Sequence, residues 1–88
     1  MPPITLAEAR LFLRVTDDAE DDLIRLLIEA ATGRVEASVG LVLADPAPAP
    51  LRLAILMLVA QAYEHRDAGE PPLSLVEPWL ASWRRARL

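Results

Sequence analysis

The stretch Asp18 to Gly40, DAEDDLIRLLIEAATGRVEASVG, opens on carboxylates, turns apolar at Leu23 and closes on a glycine. Ile24, Ile28, Ala31, Val35 and Val39 recur three and four residues apart. That spacing predicts a helix from about Asp18 to Val39 with a continuous apolar seam. Leu23, Leu27 and Ala30 form a second seam beside it, and two adjoining seams make a face wide enough to contact two neighbours. Gly40 suits the left-handed position that ends a helix. Whatever else the chain contains must pack against this face.

On the N-terminal side, Thr5-Leu6-Ala7-Glu8 fits a capping box: the threonine hydroxyl takes the amide three residues on, and the glutamate reaches back to the cap amide. A first helix from Leu6 to about Arg14 follows, with Leu6, Ala9 and Leu13 on one stripe, Phe12 widening it, and Val15-Thr16 breaking it. On the C-terminal side, Leu41-Val42-Leu43 fits either a short strand or a tucked loop. Asp45 to Pro50, with prolines at alternate positions, reads as a stiff connector, and Pro50 is suited to be the first residue of a helix. A third helix is predicted from about Leu51 to Asp67, ending before Gly69. Its segment Leu53 to Ala60 is apolar on every side, which implies burial on every side.

Glu70-Pro71-Pro72 then makes a turn. Ser74-Leu75-Val76-Glu77 is a second capping-box match, although Pro78 would move the regular start of that helix to Glu77 or Pro78. Trp79, Leu80 and Trp83 share a face, and Arg84-Arg85-Ala86-Arg87 follows. The expected fold is all-α: one domain over residues 1–88, a bundle of about four helices with two long central ones packed against shorter terminal ones.

A chain of 88 residues builds only a small core. Yet 53% of it is apolar and only 5% aromatic, and the surplus points to a second buried surface made with another chain. With no cysteine, neither disulfides nor a thiolate zinc site is indicated. The start lacks the basic and apolar regions of a signal peptide. The longest apolar run, Leu53 to Ala60, covers about 12 Å as a helix, far short of a bilayer, so a soluble chain with no membrane partner is expected. A net charge of −4 argues against free-standing affinity for nucleic acid, which rests on cations displacing counterions. The charge is also uneven. Residues 1–45 hold nine acids and four arginines, residues 46–88 four acids and five arginines, a polarity suited to head-to-tail docking.

Three groups of residues stand out as candidate sites. Asp17, Asp18, Glu20, Asp21 and Asp22 put five carboxylates into six positions. A calcium loop needs a glycine near its middle and a closing bidentate glutamate, and this run has neither. Acids at a helix start instead meet unpaired amides and the positive end of the helix dipole, each worth roughly 0.3 to 1 kcal/mol. Asp18 as cap and one or two first-turn acids satisfy that need, so the surplus charge is also expected to serve as a charged assembly surface, for example by pairing with a neighbour's arginines. Leu53, Ile55, Leu56, Met57, Leu58 and Val59 cannot all face one small core, and some are expected at a subunit interface. Trp83 with Arg84, Arg85 and Arg87 combines an aromatic anchor with carboxylate-binding forks and is expected to dock a partner. His65 is the only histidine, and glycines at 33, 40 and 69 cannot build a phosphate loop. No catalytic residue, cofactor or metal site is indicated.

Taken in order, these features resemble the small head-tail connector (adaptor) family of long-tailed phages and gene transfer agents. The residues that carry the resemblance are Ile4 to Arg10 with Leu13-Arg14-Val15, Asp17-Asp18, Asp21 to Ile24, Leu27 to Ala31 and Val35-Glu36. Later come Pro50-Leu51-Arg52, Ala54-Ile55-Leu56, Tyr63-Glu64 with Arg66, and Trp83-Arg84. The resemblance departs at the short, proline-rich link before the third helix and at Gly40-Leu41, where a Thr-Gly-Arg-like turn would be expected. It implies a subunit that forms a ring, typically a dodecamer, beneath the portal protein. The ring would join the DNA-filled head to a tail-completion or stopper protein and let the genome through. The particle would be a virion or gene transfer agent assembled in the bacterial cytoplasm. The competing reading is a small helical regulator or antitoxin-like module that dimerises; it would need a basic recognition helix, which neither long helix supplies.

Overall fold

A computed structural model describes residues 3–83, and among them are four α-helices: α1 (Leu6–Leu13), α2 (Asp21–Val39), α3 (Ala49–Glu64) and the single-turn α4 (Glu77–Leu80). Short 3-10 turns at Arg66–Ala68, Leu73–Val76 and Ala81–Trp83 complete the path, and there is no strand among the described residues.

The capping box of α1 is made in full. Thr5 N–H donates to Glu8 Oε1 at 2.9 Å, and Glu8 N–H donates to Thr5 Oγ1 at 3.1 Å. Arg14 ends the helix in the left-handed region, at φ 62°. The predicted start of α2 at Asp18 is corrected by three residues. Its N-cap is Glu20, with no capping side chain, and Asp18 contributes only its carbonyl, to Asp21 N–H at 3.3 Å. The reason lies in the connection: antiparallel α1 and α2 need a turn between them, and residues 17 to 20 make it, with Asp17 Oδ1 accepting Ala19 N–H at 3.1 Å. At the other end, Gly40 takes the left-handed cap as expected, at φ 73°. Leu41 to Leu43 is the tucked loop rather than a strand. Leu43 is buried, Val42 is exposed, and Leu43 N–H donates to Glu36 Oε2 at 2.7 Å.

Helix α3 starts slightly earlier than predicted, at Ala49 with Pro50 in its first turn, and ends at Glu64 rather than Asp67. Beyond His65 the chain tightens into a 3-10 turn and leaves at Gly69, φ 79°. The second capping box is not made. Ser74 sits inside the Leu73–Val76 turn, which buries Val76 and carries no side-chain cap, and α4 begins at Glu77 with Pro78 in its first turn. Pro78 decides this, because a proline four residues into a helix removes its first hydrogen bond.

Polar pairs fix the sense of packing. Glu20 at the start of α2 meets Tyr63 and Arg66 at the end of α3, so α2 and α3 are antiparallel. Arg10 of α1 meets Asp21, while Ile4 and Leu6 lie by Ile28 and Glu29, so α1 is antiparallel to α2. Between the helices lies one core, in which Ile24, Val35, Leu51, Ile55, Leu58, Val76 and Leu80 are at most 1% exposed. The buried residues of α2 are the predicted seam, Ile24, Ile28, Ala31, Val35 and Val39.

Each fully buried aliphatic side chain contributes roughly 1.5 to 3 kcal/mol relative to exposure. Ile55→Ala is therefore expected to cost about 2 to 5 kcal/mol in urea unfolding, whereas Leu11→Ala, at a position 81% exposed, should stay within about 0.5 kcal/mol of wild type. Equal losses at the two positions would contradict this placement of the core.

Candidate assembly surfaces

The acidic run at the head of α2 is divided between inward and outward positions. Two of its members are spent inside the subunit. The Arg10 guanidinium grips Asp21 with both arms, Nε donating to Oδ1 at 2.8 Å and Nη2 to Oδ2, which ties α2 to α1. Glu20 ties α2 to α3: the Tyr63 hydroxyl donates to Oε1 and Arg66 Nη2 donates to Oε2 at 2.6 Å. The Arg66 guanidinium also lies 4.9 Å from the centre of the Tyr63 ring, within the range of a cation–π contact. A third tie joins α1 to α3, where Arg52 pairs with Glu8.

The remaining acids face outward. Among the described residues Asp22 pairs with Arg25 on its own helix, at 3.3 Å, and Asp17 and Asp18 are exposed in the turn. Of the charged surface expected from the sequence, Asp17, Asp18 and Asp22 are thus on the outside, while Glu20 and Asp21 are engaged by the subunit's own side chains. Among the described residues no group of three or more acidic, histidine or cysteine side chains converges as metal ligands would. No described helix is long and apolar enough to cross a membrane.

These contacts move acid–base equilibria. The Tyr63 hydroxyl, and next Arg66, hold the Glu20 carboxyl below the ordinary carboxylate range. The same bond raises the Tyr63 phenol. Glu8 is lowered first by the Thr5 amide and then by Arg52, and Asp21 raises Arg10.

The apolar row on α3 is also divided. Ile55, Leu58 and Val59 are buried within the subunit, whereas Leu53, Leu56 and Met57 are only partly covered. Trp83 is half-buried against the core, Trp79 is 39% exposed, and Arg84, Arg85 and Arg87 lie outside the described residues.

Two further surfaces were not anticipated. Leu11 and Phe12 project from the end of α1 beside Leu56, 81% and 41% exposed. Across the molecule, α2 and α3 leave an apolar cleft of about 360 Å³ floored by Leu23, Leu27, Ala30, Leu58 and Ala62, with Arg34, Arg66 and Glu70 at its rim. The second seam of α2 was the signal for this cleft; Phe12, beside the α1 stripe, pointed inward by periodicity and in fact faces out.

The described residues define a small all-α module with apolar and charged surface left on its outside. The chain belongs to the family described as Phage gp6-like head-tail connector protein, whose model matches residues 3–71 of the 88. That membership makes it a structural connector of phage particles, a virion component that assembles with other head and tail proteins. No curated protein and no solved structure matches the chain.

Tyr63→Phe tests the tie between α2 and α3. A carboxyl lowered by folding contributes stability that is present above its unfolded value and lost as pH falls through its folded one; a raised phenol contributes below its unfolded value and loses that as pH rises. Tyr63→Phe should therefore melt below wild type between about pH 5 and 9, with the gap narrowing at both extremes. A gap constant across a pH series of melting curves would mean that Glu20 is not its partner.

Proposed function

We propose that the chain is the repeating subunit of a ring, a dodecamer in its closed form, seated beneath the portal and joining the DNA-filled head to the tail-completion or stopper protein. The family match over residues 3–71 carries this reading. Two physical features support it. Partly covered Leu53, Leu56 and Met57 share one side of α3, with exposed Leu11 and Phe12 beside Leu56, and contiguous apolar surface marks contact sites. The outward Asp17, Asp18 and Asp22 belong to a subunit of net charge −4, which suits a conduit that must not hold its DNA. The cationic end, Trp83 with Arg84, Arg85 and Arg87, is assigned to an acidic surface of the portal.

The test is genetic complementation in the strain that produces the particles. Without the gene, heads should fill with DNA and remain untailed, and wild-type protein should restore tails. Leu53→Asp, Leu56→Asp and Met57→Asp should each leave the free subunit folded by circular dichroism yet fail to restore them. Normal tailing without the gene would overturn the connector reading, and full complementation by all three variants would move the subunit contact off this face of α3.

A further inference from the structure

The exposed ridge on α1 and the apolar cleft lie on opposite flanks of α2. On one flank α2 presents Asp21, Arg25 and Glu29 towards α1. On the other it presents Leu23, Leu27, Ala30 and Arg34 to the cleft. At 100° per residue these two sets point in nearly opposite directions with the buried seam between them. A convex apolar feature and a concave one on opposite sides of one subunit cannot satisfy each other within that subunit. They can do so between copies.

The charges around the two features are complementary as well. Arg14 lies two residues beyond the ridge, is exposed, and has no ion-pair partner among the described residues. It also holds the left-handed conformation, φ 62°, where glycine would be the stabler choice, and residues kept in such a conformation cluster at functional positions. The cleft rim offers Glu70, whose side chain is 74% exposed and meets Arg34 at a loose 3.3 Å. Arg66 stands at the same rim, opposite in sign to the Asp17 and Asp18 carboxylates that follow Arg14.

We propose that Leu11 and Phe12 of one subunit insert into the cleft of the next, with Arg14 reaching Glu70 across the contact. The occupant of the cleft is thus a second copy of this chain. Because the two faces differ, the contact is heterologous: each subunit gives a ridge on one side and a cleft on the other, and the series closes when the rotation per subunit divides a full turn. This assignment rests on the ring reading above and names the surfaces that would make it.

The chain has no cysteine, so site-directed cross-linking starts from a clean background. Particles assembled with the double variant Leu11→Cys and Ala30→Cys, treated with a short bis-maleimide, should yield a ladder of linked dimers, trimers and higher species. Each single variant should stay unlinked. Leu11→Cys with Ala62→Cys probes the same cleft from α3 and should give the same ladder. In parallel, Arg14→Glu should lose tailed particles, and adding Glu70→Arg should regain them.

If the protein is present in the particles but neither double variant gives a ladder, the ring reading survives and this contact does not. A linked pair from Leu11→Cys alone would mean an isologous ridge-to-ridge contact, and linkage of Ala30→Cys to a chain of different mass would give the cleft to another head or tail protein. Either result overturns the proposal. If the protein is absent from particles, both readings fall together.

Discussion

Helix α3 is apolar around most of its circumference, and a helix with that composition has to be enclosed. The described residues do not enclose it fully. α2 takes one side through its seam, α1 takes another, and the turn at Leu73–Val76 with α4 takes a third, burying Val76 and Leu80. These elements bury Leu51, Ala54, Ile55, Leu58 and Val59, while Leu53, Leu56 and Met57 are only partly covered. The incomplete enclosure of α3 therefore shapes the fold and leaves the apolar surface on which assembly can act.

Charge does a different job from the core. Aliphatic packing is tolerant of sliding, since one leucine sits against another in several registers. The Arg10–Asp21, Glu8–Arg52 and Glu20–Tyr63–Arg66 contacts are directional, and they join the three helices in all three pairwise combinations. Partly exposed pairs of this kind add little stability. Their weight is better placed in fixing how α1 and α3 meet the head of α2, and hence where the ridge and the cleft stand relative to each other.

Much of the fold was legible because it is written in local signals. The Thr5–Glu8 capping box, the α2 seam and Gly40 were each read from residues within a few positions of one another, and each appears where expected. The misses were set by distant partners. Asp18 looked like a cap, but the chain needs those residues to turn between antiparallel helices. The Ser74 capping box is different: Pro78, a local signal, already moved the expected start of that helix to Glu77 or Pro78, and it begins at Glu77. Glu20 was one carboxylate among five in sequence; partners 43 and 46 residues away, Tyr63 and Arg66, distinguish it from Asp22. Less of the candidate surfaces was legible: the residue types were readable, but Ile55, Leu58 and Val59 are buried within the subunit and Glu20 and Asp21 are engaged by its own side chains, because which side of a helix stays uncovered depends on the whole bundle.

The division of the acidic run bears on how a subunit that leaves apolar surface uncovered would meet its neighbours. Carboxylates on the outside at Asp17, Asp18 and Asp22 give like subunits a repulsion that is felt over about 8 to 10 Å at physiological salt. Apolar attraction acts only at contact. An isolated subunit is therefore held off random encounters by charge, while a correctly oriented neighbour can bring opposite charges together as the apolar surfaces meet. Raising the salt weakens the repulsion and the orienting pairs alike and leaves apolar burial nearly untouched, so orientation is lost before attraction is. For a head-to-tail contact, lost orientation means open or mismatched chains in place of closed rings. The acids beside the helix start would thus act on the fidelity of assembly more than on its strength.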